Sequence, residues 1–314
     1  MQLNPKAVKK ILIVRNDRFG EFLLNIPALR ALKETFAGAK LIAVIDPKVR
    51  ELAENIPFID GVIEWGQVKH PLSEKLKLIG TLKKIKFDMA IILNPSKEFN
   101  IITYMAGIPI RVGYDRKWGF LLNRRIEDKK YLGEKHEVEY NLDLVNLVGA
   151  RTDDLSLTLK INEEASVDSA VAIHPWTSDP VKQWPEEYFQ KLAKRLNEGL
   201  NLKIIIIGKQ EEQGRNYYDS LRSGVINMTN KTNLVQLAAI LKKCRLLISG
   251  DSGPVHLAAA VGTPVLAIFR NDLSGKTAKR WGPWGKNHAV IERSKLSDIT
   301  VDEVFSKAKE MLKI

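Results

Sequence analysis

Residues 202–207 read Leu-Lys-Ile-Ile-Ile-Ile, so four isoleucines follow one another with no polar residue between them. A strand with one face in water alternates apolar and polar side chains, whereas an uninterrupted apolar row is typical of a strand covered on both faces in a parallel sheet. Similar β-branched runs occur at 10–15, 40–45, 61–65, 88–93, 110–113, 170–174, 225–228, 245–249 and 264–269. The runs predict parallel β-sheets.

Segments with helical periodicity lie between these runs, at 20–36, 72–85, 186–196, 234–243 and 255–260. Strands that alternate with helices build doubly wound α/β domains, and the alternation occurs twice. Polar residues 151–168 separate the two sets. We therefore predict two Rossmann-like domains, 1–158 and 159–314, that face each other across a cleft. The last predicted helix, 301–312, is compatible with packing on either domain.

The composition is that of an ordinary globular protein. Of 314 residues, 45% are apolar and 27% are charged, which excludes disordered and collagen-like chains. The formal net charge of +12 favours an anionic partner, such as phosphate groups, nucleic acid or a charged membrane face, although it serves solubility equally well. No nucleic-acid recognition motif accompanies the charge, which argues against a nucleic-acid binder.

Cysteine, histidine and carboxylate patterns argue against a metal site. Cys244 is the single cysteine, so neither an internal disulfide nor a multi-thiolate centre can form. The five histidines are scattered and no Asp-x-Asp occurs.

The first six residues lack the apolar segment of a signal peptide. We expect a cytoplasmic protein with no metal and no other cofactor.

The ligand site of a doubly wound domain lies beyond the carboxyl ends of its strands, so residues that follow strands are the first candidates. After the first predicted strand comes Arg15-Asn16-Asp17-Arg18-Phe19-Gly20-Glu21. Gly20 permits a tight turn, and Glu21 falls in the first turn of the next helix with its carboxylate at the cleft. The alternative is that Glu21 merely complements the helix dipole. No Gly-x-Gly-x-x-Gly occurs here, so this turn is not a dinucleotide fingerprint.

The segment 174–186 follows the first predicted strand of the second domain. Thr177 and Ser178 offer hydroxyls, Lys182 offers a mobile cation, and Pro185 is suited to the first position of the next helix. Hydroxyls, amides and an ammonium group together can hold a phosphate. The alternative is a surface loop that ends in a helix-start signal.

The segment 249–257, Ser-Gly-Asp-Ser-Gly-Pro-Val-His-Leu, runs from a strand into an apolar helix. Exposed amides at that helix start predict an anion site, with Asp251 and Ser252 beside it as hydrogen-bonding groups. His256 lies one turn further on, as a ligand contact or as a core histidine. Gly-Asp-Ser-Gly also surrounds some protease serines, but those enzymes need β-barrels, and Pro254 breaks the Gly-x-Ser-x-Gly elbow.

Taken together, these segments resemble glycosyltransferase family 9, the ADP-heptose:lipopolysaccharide heptosyltransferases. The family shows Arg-x-Asp-Arg-x-Gly-Asp and Leu-x-x-x-Pro-Ala-Leu near its start, then Lys-x-Trp-Pro, then Asp-Ser-Gly-Pro-x-His-Leu-Ala-Ala-Ala-x-Gly-Thr-Pro. The corresponding segments here are 15–21, 23–29, 182–185 and 251–264. Trp281-Gly282-Pro283 and a helix at His136-Glu137 are also similar to the family, so the resemblance covers nearly the whole chain.

The resemblance implies a GT-B fold in which the N-terminal domain binds the acceptor and the C-terminal domain binds the nucleotide-sugar. It also implies inverting, metal-independent transfer of heptose from ADP-heptose to a lipopolysaccharide core, an anionic glycolipid. By similarity, Glu21 is the general base and Asp17 a second candidate. The remaining implied contacts are Arg15, Arg18 and Gly20 for the acceptor; Thr177, Ser178, Lys182, Ser252 and Gly253 for the diphosphate; Glu212 for the ribose; Thr232 and Leu234 for the base; and Asp251 and His256 for sugar or phosphate.

Two departures from the family pattern leave alternatives open. The family has Asp where this chain has Glu21, and one extra methylene moves the carboxylate by about 1.5 Å, a displacement that costs active sites about 100-fold in rate. The family tends toward Phe-Gly-Pro-Thr where this chain reads Phe269-Arg270-Asn271-Asp272. The sequence therefore leaves two alternatives open. The enzyme uses another nucleotide-sugar or another surface-glycan acceptor, or the protein is a catalytically weak nucleotide-binding regulator.

The predicted helix 72–85 combines an apolar stripe with lysines on its other faces. Such a helix packs its stripe on the sheet, or it rests on anionic lipid at the cytoplasmic face of the inner membrane, as a lipid-linked acceptor would require.

Overall fold

The computed structural model describes residues 3–165, 167–209, 218 and 224–314. The chain forms two compact units. The first, called the first domain below, comprises Met1–Tyr131 and Glu137–Thr158. The second domain comprises Leu132–His136 and Leu159–Ile314. Each domain contains a parallel sheet with six strands in its described part.

The first domain is built on a sheet in the order β3-β2-β1-β4-β5-β6. Its central strand β1 pairs in parallel with β2 and β4, and Leu12 stands between Ile42 and Ala90. The strands are β1 (Lys10–Val14), β2 (Lys40–Ile45), β3 (Gly61–Glu64), β4 (Met89–Ile92), β5 (Ile110–Tyr114) and β6 (Arg124–Ile126). The helices are α1 (Phe19–Leu23), α2 (Ile26–Thr35), α3 (Arg50–Ala53), α4 (Leu72–Ile85), α5 (Lys97–Met105) and α6 (Glu137–Asn146).

The second domain repeats this topology, with the sheet order β12-β11-β10-β7-β8-β9. The strands are β7 (Val171–His174), β8 (Ile204–Ile206), β9 (Val225–Asn227), β10 (Leu246–Gly250), β11 (Val265–Arg270) and β12 (Ala289–Arg293). The helices are α7 (Glu186–Leu200), α8 (Leu234–Lys243), α9 (Gly253–Ala260), α10 (Ala278–Trp281) and α11 (Val301–Leu312). Two α/β domains with parallel sheets are therefore confirmed.

The isoleucine row lies in the core of the second domain, as its composition predicts. Ile204, Ile205, Ile206 and Ile207 are fully buried, because β8 pairs with β7 on one side and β9 on the other and helices cover its faces. The final helix α11 packs on α7 and β10, so it belongs to the second domain. None of the helices in the described ranges has the length and apolar character needed to cross a membrane.

The predicted helix 20–36 is wrong in its continuity, because the structure divides it into α1 and α2. Pro27 occupies the first turn of α2, and a proline inside a longer helix would remove a backbone hydrogen bond. Asn25 ends α1 by donating from Nδ2 to the carbonyl oxygens of Glu21 at 2.8 Å and Phe22 at 2.9 Å.

The boundaries of α7 also differ from the prediction. Pro185 is the residue that precedes the helix rather than its first residue. The helix continues to Leu200 instead of ending at Leu196, because Asn201 at φ +52° is the first residue to adopt the left-handed conformation that ends a helix.

The winding of each sheet fixes where a ligand can bind. Starting from its first strand, each domain adds strands on one side and then continues on the other, so the direction reverses between β1 and β4 and between β7 and β10. Ligands of open α/β sheets bind outside the carboxyl ends of the strands at this reversal. The loops that follow β1, β7 and β10 therefore have the position of a binding site, each within its own domain.

Candidate active site

The loop after β1 begins with a buried arginine. Arg15 is 3% exposed, and its Nε donates to Asp17 Oδ1 at 2.8 Å while Nη1 donates to Glu137 Oε1 at 3.2 Å. Burial alone would lower the pKa of Arg15, but the carboxylates of Asp17, Glu137 and Glu21 outweigh it and raise the pKa. Arg15 is thus a fixed positive charge behind the loop.

Glu21 lies in the first turn of α1, as predicted, with 22% of its side chain exposed. Burial raises the pKa of the Glu21 carboxyl and the negative charge of Asp17 raises it further, while Arg15 and Arg18 act in the opposite direction. The exposed guanidinium of Arg18 lies 3.6 Å from Glu21 Oε1 through its Nε. Gly20 is buried beside it. The carboxylate of Glu21 therefore takes up a proton more readily than an ordinary glutamate.

The loops after β7 and β10 meet through an ion pair. Lys182 Nζ lies 2.5 Å from Asp251 Oδ2, and their side chains are 19% and 11% exposed. Thr177 Oγ1 donates to the backbone oxygen of Asp251 at 3.5 Å. Ser178 is exposed in the same loop. The structure therefore brings Asp251 to Thr177 and Lys182, although Asp251 lies 74 residues after Thr177 in the sequence.

Local hydrogen bonds hold the β7 loop in shape. Gln183 accepts from the backbone N–H of Thr177 at 3.1 Å through Oε1 and donates to the backbone oxygen of Pro175 at 2.5 Å through Nε2. The side chain of Asp179 accepts from the backbone N–H of Val181 at 3.1 Å. Lys182 is consequently presented from an ordered turn and not from a free loop.

A buried histidine at the end of β7 binds the start of α9. His174 Nδ1 lies 3.0 Å from Ser252 Oγ and 3.2 Å from Ser249 Oγ. Burial lowers the pKa of His174 to about 4, so the imidazole is neutral at pH 7 and Nδ1 can accept a hydrogen bond from a serine hydroxyl. Gly208 contacts the other edge of the ring, where a Cβ would lie 2.6 Å from His174 Cδ2.

The contact with His174 leaves α9 without a side-chain cap. Ser252 is the N-cap residue of α9, yet its hydroxyl makes no capping bond. Pro254 occupies the first turn and has no N–H, while the backbone N–H groups of Ser252 and Gly253 donate to no protein acceptor in the described ranges. Free N–H groups and the positive end of the helix dipole make such a terminus attractive to anions.

The other predicted donor contacts lie at different positions in the second domain. His256 is buried in α9. Thr232 and Leu234 flank Asn233, the N-cap of α8, and they follow the edge strand β9 rather than the central strands. Glu212 lies outside the described residues. The described part of the chain contains no group of three or more His, Cys, Asp or Glu side chains suited to a metal ion.

The order of these loops along two Rossmann-like domains is that of a known family. The sequence profile of glycosyltransferase family 9 (heptosyltransferase) matches residues 75–308, about three quarters of the chain. The chain belongs to glycosyltransferase family 9. It is therefore a glycosyltransferase with the GT-B fold.

Individual members of family 9 are similar along nearly their whole length. Lipopolysaccharide heptosyltransferase 2 of Salmonella typhimurium is 24% identical over 286 residues, which cover 83% of this chain and 82% of that protein. The crystal structure of a family 9 glycosyltransferase from Veillonella parvula has a TM-score of 0.83 at 22% identity and covers 97% of both chains. E. coli heptosyltransferase WaaC with ADP has a TM-score of 0.79 at 19% identity and covers 96% of this chain and 99% of that one.

Two buried side chains at the candidate site, His174 and Glu137, have no role predicted from the sequence. The sequence indicates His174 only as the start of a loop, and Glu137 only as part of a helix. The Glu137 carboxylate is 1% exposed and accepts from Lys130 Nζ at 2.7 Å as well as from Arg15. A carboxylate that begins a helix is a signal that could draw attention to Glu137, but its partners lie 7 and 122 residues away.

Proposed function

We propose that this glycosyltransferase transfers a heptose from ADP-heptose to a lipopolysaccharide core acceptor, with inversion at the anomeric carbon and without a metal ion. The names of the relatives support the donor and acceptor classes. The observation that carries the proposal is the meeting of Lys182, Asp251 and the uncapped start of α9 at the carboxyl ends of β7 and β10.

The diphosphate of the donor binds to the backbone N–H groups of Ser252 and Gly253 and to the ammonium group of Lys182. Because no metal participates in this proposal, these groups must balance the charge of the leaving diphosphate. The hydroxyls of Thr177 and Ser178 lie in the same loop as Lys182 and add hydrogen bonds. The family resemblance supports Glu212 as the ribose contact and Thr232 and Leu234 as neighbours of the base.

Donor binding changes the partner of Lys182. In the free chain the ammonium group is paired with Asp251 at 2.5 Å, so phosphate oxygens compete with a carboxylate for it. Once Lys182 turns to the diphosphate, the Asp251 carboxylate can accept hydrogen bonds from sugar hydroxyls. The family resemblance supports His256, which is buried in the same helix α9, as a further contact of the sugar or phosphate. A donor that carries hydroxyls thus satisfies both halves of the ion pair.

Glu21 is the general base in this proposal. The acceptor hydroxyl attacks the anomeric carbon from the face opposite the diphosphate, the bond from this carbon to the diphosphate oxygen breaks, and the hydroxyl proton passes to Glu21. A raised pKa makes the carboxylate a stronger base, and such a group contributes about 10²–10⁴-fold to the rate. Asp17 is the second candidate, but it is already hydrogen-bonded to Arg15 at 2.8 Å.

The acceptor is an anionic glycolipid, and it binds to the first domain. Arg18 is 73% exposed beside Glu21 and can contact an anionic group directly. Arg15 is buried, so it contributes through Asp17 and through its charge. Gly20 is buried, so its contribution to the acceptor site is to keep the first turn of α1 free of a side chain next to Glu21. An acceptor that carries lipid places the protein at the cytoplasmic face of the membrane.

The test is a binding and transfer experiment with one protein preparation. Calorimetry with ADP, UDP, GDP and CMP is expected to show tight binding of ADP alone, and ADP-heptose with a core acceptor is expected to release ADP. Preference for another nucleotide would reject ADP-heptose as the donor. Binding of ADP with no transfer to any core acceptor would reject the catalytic role and favour a nucleotide-binding regulator.

A further inference from the structure

A group of large apolar side chains is exposed on the first domain. Trp118 and Phe120 lie in the connection between β5 and β6, with 47% and 66% of their surfaces exposed and their ring centroids 5.8 Å apart. Tyr104 and Met105 end the neighbouring helix α5 and are 54% and 46% exposed. We call these four residues the aromatic surface. Such exposure of neighbouring aromatic side chains is typical of an interaction site.

Contacts with Arg111 make the aromatic surface continuous. The Arg111 guanidinium lies over the Tyr104 ring, 5.3 Å from its centroid, and its Nε donates to the backbone oxygen of Leu121 at 2.8 Å. The short turn Gly119–Leu121, which includes Phe120, packs against α5. The helix end and the β5–β6 connection therefore form one surface.

The backbone adopts an uncommon conformation to present Trp118. Lys117 and Trp118 have φ values of +51° and +67°, a left-handed conformation that bulky residues rarely adopt. Asn100, 1% exposed, holds it by donating from Nδ2 to the backbone oxygen of Lys117 at 2.9 Å. Gly119 allows the close turn, because a Cβ there would lie 2.7 Å from Asp115 Oδ1. Strain that the surroundings maintain in this way points to a function for the exposed ring.

The surface is bordered by positive charge that the protein does not neutralise. Lys97 Nζ lies 4.1 Å from the centroid of the Trp118 ring, and Lys117 is exposed beside it. In the part of the chain described, no carboxylate lies within 4.0 Å of the charged nitrogens of Lys97, Arg111 or Lys117. The neighbouring Arg116 and Arg125, by contrast, are paired with Asp128 and Asp115.

We propose that the aromatic surface is a docking site for an anionic lipid bilayer. Tryptophan, tyrosine and phenylalanine side chains bury favourably at the level of lipid headgroups, and lysine and arginine beside them are attracted to anionic headgroups. The loop begins at the carboxyl end of β5, which is parallel to β4 and β1. Trp118 therefore lies at the same edge of the sheet as the loop that carries Glu21.

The helix α4 is less suited to this role, although its lysines leave a contact with anionic lipid open as an alternative to packing on the sheet. Leu78, Ile79 and Leu82 are buried in the core of the first domain. Leu72 and Leu76 alone of its leucines are exposed, at the beginning of the helix. The second half of α4 thus packs its apolar stripe on the sheet. We therefore assign the bilayer contact to α5 and the β5–β6 connection.

The experiment measures binding of the full chain to vesicles of phosphatidylglycerol and of phosphatidylcholine by co-flotation. The test variant combines Trp118→Asn, which keeps a residue that tolerates the left-handed backbone, with Phe120→Ser. We expect binding to phosphatidylglycerol vesicles that weakens with salt, and at least about a tenfold loss of binding in the variant. The control variant, Val290→Ser, removes an apolar side chain that is 39% exposed on β12, and it is expected to bind like the original chain.

A second variant separates charge from aromatic character. Lys97→Glu combined with Lys117→Glu leaves both rings in place and is expected to lose binding to phosphatidylglycerol by at least about tenfold. Circular dichroism melting and ADP binding verify that each variant is folded. Equal binding by the aromatic variant and the original chain overturns the proposal. Equal binding of the original chain to neutral and anionic vesicles also overturns it. A change from dimer in the original chain to monomer in the aromatic variant, measured by light scattering, overturns it as well, because the surface would then be a subunit interface. No donor or acceptor is present, so a failure here leaves the proposed transfer reaction untouched.

Discussion

Ser252 Oγ lies 3.0 Å from His174 Nδ1, a contact that spans 78 residues of sequence. Ser252 occupies the N-cap position of α9, where a serine hydroxyl ordinarily accepts a hydrogen bond from the backbone of the first turn. Here the hydroxyl is turned toward the neutral imidazole instead. The contact therefore keeps the start of α9 accessible, and it joins the ends of β7 and β10 at the point where the winding of the sheet reverses.

Replacing His174 is expected to weaken ADP binding although His174 itself is buried. The Ser252 hydroxyl lies 2.9 Å from Ser249 Oγ and 3.2 Å from the backbone oxygen of Gly250, as well as 3.0 Å from His174 Nδ1. In His174→Phe it loses the imidazole and keeps these two weaker anchors, so it turns more readily toward the amides of α9, where it competes with the diphosphate. We expect an affinity for ADP at least about tenfold lower by calorimetry, since one hydrogen bond to a charged group contributes about 1.5–3 kcal/mol.

The control for His174→Phe is His174→Asn, whose side chain places an acceptor near the position of Nδ1. This variant is expected to retain most of the affinity for ADP. Equal losses in both variants would mean that His174 acts through packing alone and not through Ser252.

The ion pair between Lys182 and Asp251 gives opposite expectations for its two partners. Lys182→Ala removes a ligand of the diphosphate and should weaken ADP binding by about 10–100-fold. Asp251→Asn removes the group that competes for the ammonium and should leave ADP binding equal or tighter, while it weakens binding of ADP-heptose relative to ADP. Calorimetry with the two ligands measures both effects.

Lys194, an exposed residue of α7, provides the matched control for the loss of a lysine charge. Lys194→Ala should bind ADP like the original chain, because general attraction of the anion to a cationic protein changes little with one distant charge. If Lys182→Ala behaves in the same way, the β7 loop does not hold the diphosphate.

The sequence predicts the parts of the fold that are governed by burial. The isoleucine row and most other apolar runs correspond to strands inside the two sheets, because a parallel strand covered on both faces must be apolar throughout. The runs at 61–65 and 225–228 are the edge strands β3 and β9, which are only partly buried. The edge strands β6 and β12 are not predicted from the sequence. Residues 124–126 and 289–293 include arginines and a glutamate, which are acceptable at an edge and carry no apolar pattern.

The candidate site is predictable in its loops but not in its contacts. The loops 15–21, 174–186 and 249–257 are identified because each follows an apolar run. The pairing of Lys182 with Asp251, and of His174 with Ser252, depends on β7 and β10 being neighbours. Neighbouring strands here are far apart in sequence, so the pairing follows from the strand order of the sheet and from no local signal.

Gly208 offers a test of the packing behind His174. Its φ of +129° is unfavourable for any other residue, and a Cβ would lie 2.6 Å from His174 Cδ2 and 3.1 Å from Trp176 Cε3. Gly208→Ala is therefore expected to lower the free energy of unfolding by about 1–3 kcal/mol. Urea denaturation measures the change.

Gly199 serves as the comparison for Gly208. It lies in α7, and no atom lies within 4 Å of the position that a Cβ would take there, so Gly199→Ala is expected to raise the free energy of unfolding by about 0.5–1 kcal/mol. A neutral Gly208→Ala would contradict the close approach to His174.

Glu21→Gln tests the general base directly. The amide cannot accept the proton of the acceptor hydroxyl, so turnover should fall by at least about 100-fold. ADP affinity should stay unchanged, because Glu21 belongs to the first domain and the proposed nucleotide ligands to the second. Unchanged turnover would remove Glu21 from the mechanism.

Asp17→Asn distinguishes the two candidate bases through the pH dependence of kcat/KM. The base must be deprotonated, so activity is lost as the pH falls through the pKa of Glu21, which burial and then Asp17 raise above its ordinary value of 4.5. Removing the negative charge of Asp17 lowers the pKa of Glu21. It also leaves the positive charge of Arg15 less neutralised, and this charge lowers the pKa of Glu21 further. With Glu21 as the base, the variant stays active and its acidic limb moves to lower pH. With Asp17 as the base, transfer is lost at every pH, and the assignment of Glu21 would have to be abandoned.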